Sequence, residues 1–321
     1  MIEEKGFRGA LRRFARLFVR DWQLTLLLLI PTTYIIIFRY VPMYGAQIAF
    51  RDYRPRGGIT GSEWVGFKWF ERFFSDRHFS TVLKNTLSLS FYSMIAGFPL
   101  PIIFALMLNT LELPKFKKFT ETVTYMPHFI STVVAVAMLN MVFSPINGLY
   151  AIFYHAFGGK GYPTDIRSLP QAFPHLYVWS GIWKGLGWST IIYTAALSAV
   201  PEELHEAAKI DGASRWKRVL HVDLPHILPT ACTMLILRMG SVMGIGFEKV
   251  YLMQSDLNLK TSEVISTFVY KTGLGSSGDF SYAAAVGLFE SVVNCILLIT
   301  VNWVSKSSAA AMWACSEEGA V

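Results

Sequence analysis

The sequence predicts an all-α polytopic membrane protein with about six transmembrane helices. Of its 321 residues, 53% are hydrophobic and only 16% are charged, whereas soluble domains carry roughly 45 to 50% apolar and about 25% charged residues. Stretches almost free of charge recur along the whole chain, and a helix needs about 20 apolar residues to cross the hydrocarbon core of a bilayer. The predicted spans are approximately residues 24–42, 86–108, 122–143, 177–200, 228–247 and 282–304.

The segment before the first span, residues 1–23, predicts a basic amphipathic helix at the membrane surface. It holds six of the 29 lysine and arginine residues, and Phe7, Leu11, Phe14 and Phe18 recur at helical spacing. Because basic segments close to the first span usually stay in the cytoplasm, we expect both termini to be cytoplasmic. The formal charge of +7 does not indicate nucleic-acid binding, since the basic residues are dispersed among hydrophobic segments.

The first loop, residues 43–85, is long and aromatic and contains the run WVGFKWFERFFSD. With the N-terminus in the cytoplasm, this loop is external. Its composition favours a small ordered cap that could contact an external partner, and it equally fits an amphipathic helix resting on lipid headgroups. The remaining chain divides into a core domain of five spans, residues 86–304, and a tail, residues 305–321.

The loop between the fourth and fifth spans, residues 201–227, predicts two short helices with a bend. Pro201 and Glu202 are typical of a helix start. Gly212 can adopt the left-handed conformation that ends a helix, and a second helix is predicted to begin near Ser214. Small side chains beside Gly212 leave a surface on which another protein could pack closely, so the loop suits a docking element.

This loop resembles the EAA motif of binding-protein-dependent ABC importer permeases. The matching positions, at the same spacing, are Glu206, Ala207, Ala208, Asp211, Gly212, Ala213 and Pro225. Other segments, including YMPHFIS and FSPINGL, resemble sugar-importer permeases, and the long first loop resembles the branch that serves complex saccharides of the alginate type. The tail does not match the basic, aromatic ending of that family.

The resemblance implies a type I ABC importer permease fold and a bacterial cytoplasmic membrane location. It implies that Glu206 contacts a groove of an ATPase subunit and that the loop forms the coupling helices. The implied partners are a second, homologous permease, two ATPase subunits that bind ATP and Mg, and an external solute-binding protein that delivers a carbohydrate. No cofactor or metal is expected in this chain.

The sequence also weighs against other classes of function. No GxxxxGK[ST] phosphate loop occurs, so the chain is not expected to hydrolyse ATP itself. Lys209 occupies the place of the second histidine in a HExxH zinc signature, which leaves His205 as a predicted solvated helix residue. A self-sufficient channel or secondary transporter remains an alternative, as does a membrane enzyme or scaffold, although no catalytic constellation is visible.

Four polar or aromatic residues in the spans are candidates for the substrate path. Arg238 and Glu290 are costly if they face lipid, so they either line the path or form a structural ion pair. Trp179 and Trp183 lie four residues apart and could stack against a sugar ring. The alternative for these two tryptophans is an interfacial aromatic girdle or ordinary packing.

Overall fold

A computed structural model describes residues 20–275 and 278–318, with side chains covered up to residue 303. The predicted surface helix at residues 1–23 and the side chains of the tail fall almost entirely outside this range. The fold is helical except for one two-stranded sheet. The all-α prediction is confirmed for the bundle, and the sheet is an addition to it.

The first span begins with helix α1 (Trp22–Ile35). Its helical path continues through a π-helical turn, a short α-turn and a 3-10 segment, giving a 29-residue candidate span over Trp22–Phe50. No residue of α1 is buried, although Leu, Ile and aromatic side chains cover it. A helix that is apolar all round and has no buried residue is suited to contact lipid or another subunit.

An ordered aromatic cap, residues 44–76, overlaps the end of this candidate span and corresponds to one of the two alternatives that the sequence left open. It contains strands β1 (Arg51–Arg54) and β2 (Gly58–Trp64), which pair antiparallel, and helix α2 (Lys68–Ser75). Trp69 and Phe73 of α2 are buried, and the Trp69 indole Nε1 donates to the Arg51 carbonyl at 2.9 Å. Neither strand is predicted, because β1 has only four residues, three of them charged, and β2 contains two glycines, which are disfavoured in strands.

The cap is attached to the last helix of the chain. Tyr282 Oη donates to the Asp76 carboxylate at 2.9 Å, and Arg72 forms an ion pair with Asp279 at 2.8 Å. The rings of Phe73, Tyr282 and Phe289 pack together. The cap therefore belongs to a core built from both ends of the sequence.

The second span is formed by α3 (Arg77–Gly97) and α4 (Pro99–Asn109), which together give a 33-residue candidate span. Asp76 caps α3 by accepting a hydrogen bond from the His78 backbone at 2.9 Å. Pro99 lies in the first turn of α4, where its missing N–H costs nothing. The predicted span lies within this pair of helices.

The third predicted span, residues 122–143, is not one straight helix. Helix α5 (Pro114–Tyr125) leads through a 3-10 turn into α6 (Thr132–Val142), and the pair bends by 101°. Ile130 is extended, and the Ser131 hydroxyl caps α6 by accepting from the Val134 backbone at 3.2 Å. The predicted third span therefore corresponds to a pair of helices with a sharp bend and not to one straight helix.

The fourth predicted span corresponds to α8 (Phe173–Leu197), which packs against α3, α4 and α5. By length and apolar composition, the described residues hold four helices that could cross a membrane, or five if the bent pair counts as one. Helix α8 is not among them, because tryptophan, tyrosine, glycine and serine make up much of its length. By this criterion the predicted count of six is not reached.

The remaining helices complete the bundle. The loop helices α7 (Leu149–Ala156), α9 (Glu202–Ile210) and α10 (Arg215–Arg218) precede α11 (Leu224–Met239). The fifth span covers Arg215–Met239, so it begins and ends earlier than predicted, because the glycine-rich segment after Met239 forms turns. The rest of the chain forms α12 (Phe247–Met253), α13 (Leu259–Ser262), α14 (Ile265–Gly273) and α15 (Phe280–Glu318).

Gly187 allows α8 to approach α5 closely. A Cβ atom there would overlap the Thr124 carbonyl, whereas a Cβ at Gly185, two residues earlier, meets nothing within 4 Å. We expect Gly187→Ala to lower the stability of the folded chain by about 1 to 3 kcal/mol, the usual cost of overpacking. The measurement is thermal unfolding in detergent, with Gly185→Ala as control. Equal melting temperatures for the two variants would contradict this packing.

Candidate coupling loop and cationic cleft

Helix α9 forms as the sequence predicts. Pro201 precedes the helix, and Glu202 and Glu203 occupy its first turn, where a carboxylate interacts favourably with the helix dipole. The helix ends at Gly212, which has φ +74°. Two backbone bonds close the end, from Gly212 N to Lys209 O at 3.1 Å and from Ala213 N to Ala208 O at 2.9 Å. The bend between α9 and α10 therefore depends on a left-handed glycine.

One side of the loop exposes carboxylates and large apolar side chains to solvent. Glu206 and Asp211 are exposed and form no ion pair among the described residues. Ile210 and Trp216 are 86% and 75% exposed. Large apolar side chains beside an exposed carboxylate are typical of a protein contact surface. The motif residues lie together here; Ala208 and Ala213 are half-buried, and Pro225 is exposed where α11 begins.

The predicted solvated role of His205 is wrong. Its imidazole is only 22% exposed, and Nε2 lies 3.3 Å from the carboxylate of Asp223, whose side chain is 3% exposed. Asn109, the last residue of α4, donates from Nδ2 to the same carboxylate oxygen at 3.2 Å. This His205–Asp223–Asn109 anchor ties α9 to two spans, because Asp223 directly precedes α11 and Asn109 ends the second span.

The anchor could not be predicted from the sequence, because its three residues come from separate segments and no local pattern links them. In the structure, His205 and Ala208 are the half-buried positions of α9 and lie three residues apart, on one face. A second contact joins the same regions, since Arg215 of α10 pairs with Glu112 at 2.8 Å. Both of its side chains are mostly exposed, so this ion pair contributes little stability.

A row of three adjoining cavities runs through the bundle beside α8, and we call it the cationic cleft. The first, of about 370 Å³, contains Arg238 and Trp188. The second, of about 260 Å³, shares Arg238 with the first and adds Lys249. The third, of about 220 Å³, shares Lys249 with the second and adds Lys184. The shared residues show that the three cavities are neighbours along α8.

The three cations of the cleft lack acidic partners. Lys249 Nζ donates to the Tyr177 carbonyl at 2.6 Å and lies 4.5 Å from the centre of the Tyr177 ring. Lys184 Nζ donates to the Thr132 hydroxyl at 3.3 Å. Within the described part of the chain, neither lysine nor Arg238 forms an ion pair. The sequence does not predict either lysine as part of the path, because only the packing of α12 against α8 brings Lys249 to the same cavity as Lys184.

The structure separates the four residues suggested for the substrate path. Arg238 lines the cleft, whereas Glu290 lies on α15 and lines none of its three cavities, and no ion pair joins the two charges. Trp179 and Trp183 line an apolar cavity of about 430 Å³, which adjoins the third cavity of the cleft and has no lysine or arginine in its lining. The Trp179 indole donates to Tyr92 Oη at 3.0 Å.

Trp188 shares a cavity with Arg238, although it is not among the residues that the sequence suggests for the substrate path. It follows Trp183 by five residues, which turns it about 140° around the helix axis. The imidazole of His128 stacks on its indole with centroids 4.4 Å apart and planes 2° apart. Its indole is 49% exposed. One face of Trp188 is therefore fixed by His128 while the residue borders the cleft.

Comparisons with known proteins agree with one another. The model of a family described as binding-protein-dependent transport system inner membrane component matches residues 97–309. The polygalacturonan/rhamnogalacturonan transport system permease of Bacillus subtilis (strain 168) is 41% identical over 288 residues, covering 90% of this chain and 89% of the relative.

Two solved structures match this fold. One is a bacterial ABC transporter involved in the import of the acidic polysaccharide alginate, with a TM-score of 0.83 and 34% identity over 92% of this chain and 99% of the matched chain. The other is a bacterial alginate ABC transporter in complex with an alginate pentasaccharide-bound periplasmic protein, with the same score and identity over 92% and 98%.

Proposed function

The chain belongs to the family of binding-protein-dependent transport system inner membrane components, and from that premise we propose that it is the permease half of an ATP-driven carbohydrate importer. The observation that carries the proposal is the α9–Gly212–α10 loop. It is exposed toward a partner on one side and tied into two spans by the His205–Asp223–Asn109 anchor on the other. A loop built in this way can transmit force from a docked subunit to the membrane helices.

The proposed substrate is an oligo- or polysaccharide delivered by an external solute-binding protein. The relatives support it, since they are named for polygalacturonan, rhamnogalacturonan and alginate transport, and one was solved with a sugar-loaded periplasmic protein. The elongated cleft and the exposed Trp188 ring at one end of it suit a chain of sugar rings. No covalent chemistry on the sugar is required of this chain.

The proposed partners supply what this chain lacks. Two ATPase subunits, with ATP and Mg, would grip the coupling loops of this chain and of a second, homologous permease. The exposed Glu206, Ile210 and Trp216 would contact the ATPase. The fully exposed apolar helix α1 leaves a surface for lipid or for the second permease. In this arrangement the loop faces the cytoplasm, which places both termini there too.

The proposed mechanism uses α9 as a rigid lever. ATP binding closes the ATPase subunits and moves α9, and the anchor passes that movement to α4 and α11. Because α4 and α11 both line the cleft next to Arg238, the movement changes access to the cleft. ATP and the loaded binding protein act by favouring one state of the bundle over the other.

We expect Glu206→Ala to reduce ATP-dependent uptake by roughly tenfold or more, the effect of losing a central interface contact. The measurement is uptake in proteoliposomes holding the chain with the neighbouring permease, ATPase and binding protein from its genome. Co-purification of the ATPase is measured in parallel. Glu203→Ala removes the same charge from the same helix and serves as the matched control.

Two results would contradict the proposal. If Glu206→Ala keeps normal ATPase binding and uptake, the loop does not couple the ATPase to transport. If the chain imports sugar in liposomes without any ATPase, it is a self-sufficient channel or secondary transporter.

A further inference from the structure

The cationic cleft contains more positive charge than its own chain neutralises. Arg238, Lys249 and Lys184 line one continuous row of cavities. Glu248 is the single carboxylate among the residues lining these three cavities, and it is not within 4 Å of either lysine amine. Unpaired cations inside a membrane protein are costly and usually face a functional partner.

The two lysines are kept close although their like charges repel. Burial, and after it repulsion from Lys184 in the lining of the same cavity, lower the pKa of Lys249 to about 8. An anion bound beside the amine would favour its charged form. The Tyr177 carbonyl and ring fix the Lys249 amine in place. This amine has three donors, and the carbonyl accepts one, so the others remain available to a ligand.

Two glycines make room around the cations. A Cβ atom at Gly181 would lie 3.1 Å from the Lys249 amine, and one at Gly97 would lie 3.6 Å from a terminal nitrogen of Arg238. Larger side chains at these positions would therefore crowd the charged groups. The two glycines therefore leave space beside the charged groups of Lys249 and Arg238.

We propose that Arg238, Lys249 and Lys184 form an anion-binding path that selects acidic saccharides, holding the carboxylates of a uronate chain as it crosses the bundle. The inference rests on the proposed function, since it names the substrate class of that path. The planar guanidinium of Arg238 matches a carboxylate bidentately, and the lysines contact further carboxylates along the row. Trp188 packs against a sugar ring at the Arg238 end.

The test is uptake by the complete reconstituted complex, with the binding protein at saturating concentration. The probes are labelled oligosaccharides of equal length: uronate oligomers from galacturonan and alginate, neutral oligomers, and sulfated oligomers. We expect import of uronate oligomers in preference to the other two classes. Lys249→Met and Arg238→Gln each lower uronate import by about tenfold or more, the loss that follows removal of a charge-assisted hydrogen bond.

Controls separate this inference from the proposed function. Lys249→Arg keeps the charge and is expected to retain most of the import. Lys118→Met removes an exposed charge on α5 that lines none of the three cavities, and it is expected to leave import unchanged. ATPase association stays at the wild-type level in the cleft variants, because they leave the coupling loop intact. If Lys249→Met does not assemble, Arg238→Gln on α11 tests the same expected loss of uronate import.

The inference is overturned if the wild-type complex imports neutral or sulfated oligomers and not uronates. It is also overturned if both cleft variants import uronates within twofold of wild type while ATP-driven transport continues. In either case the proposed function stands. If no probe is imported in an ATP-dependent manner, the proposed function itself fails, and the inference fails with it.

Discussion

Replacing Gly212 by valine is expected to lower ATP-driven import by more than about tenfold while leaving the membrane bundle folded. Gly212 has φ +74°, and a non-glycine residue in the left-handed region costs about 1 to 3 kcal/mol. Valine is worse than most residues there because it is branched at Cβ. The backbone relieves the strain by changing the bend between α9 and α10, so α9 no longer presents Glu206 to the ATPase. Uptake and ATPase co-purification measure the effect.

Two controls isolate the bend. Gly212→Asn tolerates the left-handed conformation, so it is expected to retain more import than the valine variant. Gly158→Val places the same residue at another left-handed glycine, φ +86°, where a Cβ meets nothing within 4 Å. A Gly212→Val protein that binds the ATPase and imports sugar normally would show that this turn does not set the position of α9.

Asp223→Ala is expected to uncouple ATP hydrolysis from import. The substitution removes the buried carboxylate that holds both His205 of α9 and Asn109 of α4. Leaving such partners unsatisfied costs about 1 to 3 kcal/mol, which weakens the attachment of α9 to the spans. The ATPase still docks on the exposed side of the loop and hydrolyses ATP. The number of sugars imported per ATP is expected to fall roughly tenfold.

The matched control is Glu112→Ala, which removes the exposed ion pair with Arg215 at the same end of α4. Exposed pairs contribute roughly 0.2 to 1 kcal/mol, so import per ATP should change little. A double-mutant cycle with His205→Ala tests whether His205 and Asp223 act together. Asp223→Ala with a wild-type ratio of import to hydrolysis would rule out the anchor as the transmitting element.

The sequence predicts most of the features that depend on local chemistry. Long apolar runs locate the spans because a bilayer demands them. The start of α9, the left-handed Gly212 after it and the start of α10 near Ser214 follow from Pro201, the first-turn glutamates and the turn residues. These features need only a few neighbouring residues, and those residues are visible in the chain.

The features that sequence reasoning missed depend on residues far apart. In an isolated helix, His205 would be solvated. In the fold its partner is Asp223, which is held by Asn109, a residue more than a hundred positions before Asp223 in the chain. Lys249 lies in a short helix after the fifth span, and its place in the cleft follows from contact with Tyr177 of α8. The strands of the cap were missed although Gly57 and Gly58 mark a turn between them.

The core that joins the aromatic cap to α15 has a consequence for how the protein is made. Phe73 and Trp69 are buried by Tyr282, Ala285 and Val286, which belong to the last helix. Ribosomes add about 5 to 20 residues per second, so the roughly 210 residues between Phe73 and Val286 take on the order of 10 to 40 seconds to make. During that interval the aromatic rings of α2 lack their partners from α15 and expose more apolar surface. The cap therefore completes its packing only after α15 has been synthesised. A nascent chain that stops before residue 282 lacks the α15 side chains that cover these rings.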